Sequence, residues 1–350
     1  MQRLVVRADG WKAIGAGHLM RCLALAHEWR QQGGTVTFVT HCDSDALAAR
    51  LAAGCDELVR LLAPPPSPAD LPLLAAVLGR YPGAPVVLDG YGFDATYHDR
   101  VRVGGHPLLV IDDHAHLPSY NATWVLNQNA VASPELYRRL GSSATLLLGP
   151  SFSLLRGEFA AYQDWTRPRT DVARRVLVTL GGSDPDNVTA VALRAAAAAA
   201  AGSPDATVRV IAGHSNPNVD DLRALAAALS PACEVVQGAD DMPAQMVWAD
   251  LAISAAGTTS WELAYMQLPA LLITTADNQG TNAAALERRG VARDMGRPDA
   301  ELAERVARAM APLMSSRAIR ARMARAGRAL VDGRGAGRVV AALASHPGDS

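Results

Sequence analysis

Short apolar runs alternate along the whole chain with longer segments whose apolar residues recur every three or four positions. This alternation is typical of α/β proteins, in which helices connect the buried strands of a parallel sheet. In the first half of the chain the apolar runs predict strands at residues 3–7, 36–40, 86–89, 108–111, 124–126 and 146–148. After a polar, proline-bearing connection at residues 164–173, a second series predicts strands at 176–180, 208–212, 233–237, 251–254 and 271–274.

Helical periodicity is clear after the first strand of each series. Leu19, Leu23, Ala26 and Arg30 recur at helical spacing, and Gly33-Gly34 supplies a stop. An alanine-rich segment at residues 190–201 has high helix propensity.

The two series predict two Rossmann-like domains with parallel sheets, at residues 1–160 and 161–350. Ligands of such sheets bind beyond the carboxyl ends of the strands, so a cleft between the domains is the expected site.

Composition narrows the classes of partner. The 350 residues exceed what one hydrophobic core usually organises, and 49% are hydrophobic while 19% are charged. The 33 lysines and arginines nearly balance the 34 acidic residues, which argues against a nucleic-acid partner. No apolar run approaches the roughly 20 residues needed to span a bilayer. The chain begins as a strand rather than as a signal peptide, so we expect a cytoplasmic protein without a membrane partner.

Four cysteines, Cys22, Cys42, Cys55 and Cys233, lie far apart and form no Cys-x-x-Cys pair. This spacing predicts buried thiols rather than a zinc site or a disulfide framework.

A first motif, Gly15-Ala16-Gly17-His18, joins the first strand to the first helix. Glycines such as Gly17 let the backbone approach a ligand, and the start of a helix offers unpaired N–H groups. His18 is therefore a candidate for proton chemistry, although it could equally cap the helix. Met20 occupies the third glycine position of the dinucleotide fingerprint, which disfavours a nicotinamide cofactor.

Glycine-rich and small-residue motifs also follow two strands of the second series. Gly181-Gly182-Ser183-Asp184-Pro185 can form a phosphate or sugar cradle through Gly182 and Ser183, or a tight turn that Ser183 or Asp184 caps. In Ala256-Gly257-Thr258-Thr259-Ser260-Trp261-Glu262, backbone N–H groups of Gly257, Thr258 and Thr259 could bind a diphosphate, and Glu262 could accept hydrogen bonds from ribose. The pair Thr259 and Glu262 also fits a capping box.

Several charged or polar residues leave two interpretations open. Asp9 could orient His18, bind a sugar hydroxyl or cap a loop, and Asn278 and Gln279 could contact a ligand or fix their own loop. Asp112-Asp113-His114-Ala115-His116 has metal-ligand chemistry, but its position after a strand favours a structural or sugar-facing role. The arginines between 317 and 328 most simply decorate solvated helix faces.

The ordered set of motifs resembles the PseG/SpsG family over nearly the whole chain. The motifs that carry the resemblance are Arg7-Ala8-Asp9, Gly15-Ala16-Gly17-His18-x-x-Arg21-Cys22, Leu88-Asp89-Gly90-Tyr91, Ile111-Asp112-Asp113, Leu126-Asn127-Gln128-Asn129, Leu148-Gly149-Pro150, Leu155-Arg156-x-Glu158-Phe159, Gly181-Gly182-Ser183-Asp184-Pro185, Ala256-Gly257-Thr258-Thr259-Ser260-Trp261-Glu262, Asn278-Gln279 and Asp332-Gly333-Arg334-Gly335-Ala336.

The resemblance implies a GT-B-like fold, similar to that of MurG, and an enzyme of pseudaminic acid biosynthesis. Its substrate would be the small molecule UDP-2,4-diacetamido-2,4,6-trideoxy-β-L-altropyranose, which it would hydrolyse without a cofactor or a metal. The family's general base falls on His18, and its substrate cleft includes Arg156 and the Ala-Gly-Thr-Thr motif. Arg156 could instead form an ion pair.

The chemistry of the family is consistent with a single base. Inverting glycosidases use two carboxyl groups because an ordinary sugar leaving group must be protonated. A nucleoside diphosphate leaves without that help, so one imidazole with an unperturbed pKa of about 6.5 suffices near neutral pH. The start of a helix disfavours the protonated ring, which keeps it available as a base. A glycosyltransferase and a non-catalytic nucleotide-sugar binding protein remain alternatives.

Overall fold

The computed structural model describes residues 2–11, 14–138, 143–203, 205–229, 232–239 and 241–345. It divides the chain into a first unit, formed by residues up to Gly157 together with those from Gly333 onward, and a second unit, Glu158–Asp332. Each unit is built on one parallel sheet. The fold class predicted from the alternation of strands and helices is therefore confirmed.

The first unit has a seven-stranded sheet in the described residues. Its strands are β1 (Arg3–Ala8), β2 (Thr35–Thr40), β3 (Glu57–Arg60), β4 (Val86–Asp89), β5 (Leu108–Ile111), β6 (Trp124–Asn127) and β7 (Thr145–Leu148), in the order β3-β2-β1-β4-β5-β6-β7. Its first helices are α1 (Gly17–Gln31), α2 (Asp45–Gly54), α3 (Asp70–Leu78), α4 (Ala95–Val103) and α5 (Pro134–Arg138).

Alternate residues of β1 enter different cores on the two faces of this sheet. Leu4 and Val6 pack with Leu25 of α1, whereas Val5 packs with Leu74 of α3 and Val101 of α4. A strand that is buried on both faces carries an almost continuous apolar run, and this is why the runs predicted the strands well.

The second unit has a six-stranded sheet in the described residues. Its strands are β8 (Arg175–Thr179), β9 (Thr207–Ala212), β10 (Ala232–Gln237), β11 (Leu251–Ala255), β12 (Ala270–Ile273) and β13 (Ala292–Asp294), in the order β10-β9-β8-β11-β12-β13. Its helices are α6 (Val188–Ala200), α7 (Val219–Ala228), α8 (Met242–Trp248), α9 (Thr259–Tyr265), α10 (Gly280–Arg288), α11 (Leu302–Ser315) and α12 (Arg317–Leu330). The alanine-rich α6 packs with α11 over the sheet.

The last helix, α13 (Gly335–Ala344), belongs to the first unit, where Val339 and Leu343 join the core beside α1. A Cβ atom on Gly335 would lie 2.2 Å from the carbonyl oxygen of Ser153, so the glycine permits this close packing. The predicted domains, 1–160 and 161–350, therefore need correction: the second unit ends at Asp332, because the final helix completes the first core.

No helix in the described part of the chain is long and apolar enough to cross a membrane. Of the four cysteines, three are buried and Cys233 is half-buried, and none forms a disulfide.

Candidate active site

His18 and Asp89 form the centre of the candidate site in the first unit. β1 and β4 are neighbours in the sheet, but the chain continues from β1 to β2 on one side and from β4 to β5 on the other. Ligands of parallel sheets bind at such a point, where the strand order reverses. His18 lies in the first turn of α1, after β1, and Asp89 is the last residue of β4. The Nδ1 atom of His18 lies 2.7 Å from Oδ1 of Asp89.

Arg21 holds the Asp89 carboxylate from the same face of α1, one turn after His18. Its Nε and one terminal nitrogen each donate to Asp89, both at 2.6 Å, and its guanidinium also donates to Asp113 at 2.8 and 3.1 Å. Burial raises the pKa of Asp89, but Arg21 and His18 outweigh burial and hold this pKa well below its usual value. Asp89 is therefore a buried anion.

The hydrogen-bond network assigns the tautomer of His18. Because the ionised Asp89 can only accept, the contact requires the proton on Nδ1, and in a neutral ring this leaves the lone pair on Nε2. A terminal nitrogen of Arg21 lies 3.2 Å from the same Nδ1. The His18 side chain retains 12% of its exposure, whereas the Asp89 side chain has none. The contact thus fixes the orientation of the ring. The capping alternative does not hold, because His18 lies inside α1 and the N-cap residue is Ala16.

Tyr91 packs against the His18 ring, and two further histidines pack against Tyr91. The Tyr91 hydroxyl donates to Asp113 at 2.8 Å, and its ring meets that of His18 edge to face at a centroid distance of 5.2 Å. His114 and His116 lie 5.4 and 5.5 Å from the same tyrosine ring. Tyr91 is exposed, so the candidate base has an aromatic, hydrogen-bonding border.

Asp9 does not orient His18 in this structure, because Asp89 does. The Asp9 carboxylate accepts from Arg7 and from the backbone N–H of His41, and so ties together the loops after β1 and β2. Its loop-fixing interpretation is confirmed, and its contact with substrate stays a prediction.

The acidic pair after β5 also has protein partners. Asp113 binds Arg21, whereas Asp112 accepts from Tyr137 at 2.5 Å and pairs with His116 at 3.1 Å. Within the described ranges, no group of three or more histidine, cysteine or acidic side chains is arranged to hold a metal ion.

In the second unit, the predicted ligand-binding loops lie at the carboxyl edge of the sheet. β8 and β11 are adjacent there, with Thr179 opposite Ser254. A Cβ atom on Gly213 would lie 2.1 Å from the carbonyl oxygen of Gly182, so the loop after β8 packs closely on the end of β9. A Cβ atom on Gly257 would lie 3.5 Å from Nε2 of Gln279, which brings the loops after β11 and β12 together.

The helix-capping alternatives have mixed outcomes in these loops. Asp184 caps α6 by accepting from the backbone N–H groups of Val188 and Thr189 at 3.0 and 2.8 Å, as one interpretation predicted. The predicted capping box at Thr259 is wrong: Thr258 is the N-cap residue of α9, and no side-chain cap is found there in the described chain. Glu262 is buried in α9.

The remaining predicted positions differ in exposure. Gln279 accepts from the backbone of Thr275 at 2.9 Å, which fixes its loop, while Asn278 is exposed. Gly17 and Thr258 are exposed, and Ser183 and Thr259 are half-buried. Arg156 is half-buried before the second of two 3₁₀ segments, Pro150–Phe152 and Gly157–Tyr162. Substrate contact by these residues stays a prediction.

Two residues that fix His18 had no predicted role: Asp89, which bonds its Nδ1, and Arg21, which holds Asp89. Both occur only in the motifs that carry the family resemblance, as does Tyr91, whereas Asp113 was predicted to have a structural or sugar-facing role. The available signal was the position of Asp89, a carboxylate at the carboxyl end of a buried strand.

Comparisons with known proteins agree with this architecture. Residues 175–333 match the glycosyltransferase family 28 C-terminal domain. The chain is 26% identical over 337 residues to the spore coat polysaccharide biosynthesis protein SpsG of Bacillus subtilis, which covers 96% of both chains. This match confirms the predicted resemblance to the PseG/SpsG family.

Two solved structures share the fold of the chain. MurG of Acinetobacter baumannii is 16% identical with a TM-score of 0.65, over 99% of both chains. A UDP-GlcNAc 2-epimerase of Neisseria meningitidis, solved with bound UDP-GlcNAc, is 14% identical with a TM-score of 0.66, over 99% of this chain and all of that one. The GT-B-like fold is therefore confirmed.

Proposed function

We propose that this chain, a homologue of SpsG with a glycosyltransferase family 28 C-terminal domain, hydrolyses UDP-2,4-diacetamido-2,4,6-trideoxy-β-L-altropyranose to UDP and the free sugar. The observation that carries the proposal is the His18–Asp89–Arg21 arrangement, which orients the imidazole for use as a base. The sugar class rests on the resemblance to the PseG/SpsG family.

In the proposed reaction, Nε2 of His18 removes a proton from water while the water oxygen attacks the anomeric carbon. The bond between that carbon and the UDP oxygen breaks with inversion, and its electron pair leaves with UDP. UDP is a stable anion, so a general acid is not required.

Asp89 and Arg21 act through His18 rather than on the substrate. Before proton transfer, the group of Asp89, Arg21, Asp113 and neutral His18 carries two negative charges and one positive charge. The imidazolium that forms brings this group to neutrality, and a buried carboxylate at 2.7 Å stabilises it. Asp89 stays ionised throughout.

We assign binding of UDP to the loops of the second unit. Gly182, Ser183, Gly257, Thr258 and Thr259 offer backbone and side-chain donors at the carboxyl edge of that sheet, and Glu262, Asn278 and Gln279 lie on the same loops and helix. Oriented N–H groups suit a diphosphate. Catalysis requires no metal in this scheme, so EDTA should leave turnover unchanged.

A UDP-sugar glycosyltransferase is the second candidate. The match to a glycosyltransferase domain and the fold shared with MurG favour it. A transferase would release UDP faster when an acceptor is added, whereas the hydrolase rate would be independent of acceptors.

The test is phosphorus NMR of the full chain with this UDP-sugar in mixed oxygen-16 and oxygen-18 water, with EDTA present. UDP without heavy oxygen is expected, since water attacks carbon. Heavy oxygen in UDP would show attack at phosphorus and would exclude the role of His18. If no UDP forms with this sugar or with related UDP-diacetamido sugars, the hydrolase proposal fails.

A further inference from the structure

An arginine-lined cavity of about 360 Å³ lies in the second unit, apart from the predicted nucleotide loops. Its lining includes Asp250 and Pro269, which directly precede β11 and β12. The cavity is therefore at the amino edge of the sheet, whereas the glycine-rich loops lie at the carboxyl edge. Its volume is in the range of small-molecule sites, about 300–1,000 Å³.

One face of α12 forms a wall of this cavity. Arg317, Arg320, Ala321, Ala324 and Arg325 line it, at the spacing of one helical stripe. The two alanines leave room between the arginines. This stripe corrects the prediction that the arginines of this helix only decorate solvated faces, because Arg320 is 6% exposed.

Two of the lining arginines donate hydrogen bonds to backbone carbonyls and so connect the segments that form the cavity walls. Arg167 donates to the carbonyls of Met246 and Ala249 at the end of α8 and of Met266 at the end of α9. Arg320 donates to Leu313 and Met314 at the end of α11 and to Thr170 in the opposite wall.

The carboxylates near the cavity do not neutralise it. The lining contains five arginines and one aspartate, Asp250. The Asp250 carboxylate accepts hydrogen bonds from the Thr170 hydroxyl and from the backbone N–H groups of Arg174 and Arg175. Burial lowers the pKa of Arg167 to about 10, and Asp250 opposes this shift only in part. The five arginines face two carboxylates, Asp250 in the lining and Asp171, which pairs with Arg317, so the cavity keeps an excess of positive charge.

Three guanidinium groups at the cavity are exposed, those of Arg169, Arg317 and Arg325. Arg317 pairs with Asp171 at 3.0 Å. The guanidinium groups of Arg169 and Arg325 form no ion pair or hydrogen bond with the other residues that the structure describes. These two forks are available to an anion from outside.

We propose that this cavity binds a small ligand through a phosphate or pyrophosphate group. Guanidinium forks match phosphate oxygens in pairs, and several arginines around one concave site favour a multiply charged group over a single carboxylate. The concave shape and the small side chains between the arginines favour a small molecule over a membrane surface. The proposal is independent of the reaction at His18.

Isothermal titration calorimetry of the full chain with pyrophosphate tests this site, with saturating UDP present to occupy the nucleotide loops. The double variant Arg169→Gln/Arg325→Gln should bind pyrophosphate at least roughly tenfold more weakly, since it loses two charge-assisted contacts. The matched variant Arg194→Gln/Arg322→Gln removes the same charge from exposed positions outside the cavity and should bind like the parent chain.

Three outcomes would overturn the proposal. The first is the absence of binding heat in the parent chain, and the second is an equal loss in both double variants, which would indicate general charge attraction. In the third, the protein sediments with phosphatidylglycerol vesicles only when Arg169 and Arg325 are present, and pyrophosphate does not bind. This outcome would indicate that the arginines bind a lipid surface. Unchanged melting temperatures would confirm that both double variants fold.

Discussion

His18 and Asp89 are 71 positions apart in the chain, yet Nδ1 of the histidine lies 2.7 Å from Oδ1 of the aspartate. The contact forms where β1 and β4 end side by side, with Ala8 opposite Asp89 in the sheet. It fixes both the tautomer and the direction of the ring, and the first two predictions follow from it.

His18→Asn should retain binding of UDP and lose turnover. The amide cannot accept a proton from water at neutral pH, and loss of a general base costs about 10²–10⁴-fold in rate. Initial rates of UDP release measure the loss, and calorimetry with UDP measures binding. Turnover at the parent rate would exclude His18 as the base.

Asp89→Asn should lower kcat by about 10²–10⁴-fold, because an amide can present the wrong partner to Nδ1 and cannot stabilise the imidazolium. KM should stay near the parent value, since Asp89 acts through His18 and not on the substrate. A purely structural role would reduce the amount of folded enzyme and leave kcat per folded molecule unchanged.

Asp113→Asn is the matched control for Asp89→Asn. Asp113 shares Arg21 with Asp89 and is bonded to the Tyr91 hydroxyl, but its carboxylate has no hydrogen bond to His18 in the described chain. Its variant should keep most of the parent's kcat. An equal loss of kcat in both variants would contradict the specific role of Asp89.

Gly213→Ala should weaken UDP binding, because the new methyl group would displace the loop that carries Gly182. Overpacking of this kind typically costs about 1–3 kcal/mol, which corresponds to about 5–150-fold in affinity if the loop bears the whole cost. Gly202→Ala is the control, since nothing lies within 4 Å of its Cβ position. Equal UDP affinity in both variants would remove this loop from the nucleotide site.

Acid should destabilise the first unit through His98. This ring is fully buried, neither of its nitrogens has a hydrogen-bond partner within the described chain, and burial lowers its pKa to about 4. The unfolded chain, with a histidine pKa of about 6.5, binds more protons than the folded chain between these two values. The free energy of unfolding is therefore highest above pH 6.5, as far as His98 is concerned, and falls as the pH drops toward 4.

The variant His98→Leu tests this dependence by denaturant unfolding. Between pH 7 and pH 5 the His98 contribution to the parent's unfolding free energy should fall by about 2 kcal/mol. Over the same interval the unfolding free energy of the leucine variant should fall by about that amount less than the parent's. His27→Gln, at an exposed position, should keep the parent's dependence. Identical pH dependence in all three proteins would contradict the assignment.

The buried strands could be predicted from the sequence because they are apolar on both faces. The eleven predicted strands were found, with each end within one residue of its prediction. β3 and β13 were missed because they are short edge strands that carry charged residues, such as Glu57 and Arg293, and so lack an apolar run.

The candidate site was harder to predict, since its contacts join distant segments. His18 stands beside glycines at a helix start, which a reader of the sequence can notice. Asp89 reaches the ring because β1 and β4 are neighbours in the sheet, and this pairing joins segments that are distant in the sequence. The packing of α13 is equally non-local, because α1, against which it lies, comes from the other end of the chain.

The placement of α13 sets an order of assembly during synthesis. The second unit is one continuous stretch that is complete at Asp332, whereas the unit that carries His18 still lacks Val339 and Leu343 when the ribosome reaches that point. We therefore expect the N-terminal half of the chain to stay protease-sensitive until the final helix has left the exit tunnel. In limited proteolysis, a chain that ends at Asp332 should be digested before residue 157, whereas the second unit should be protected.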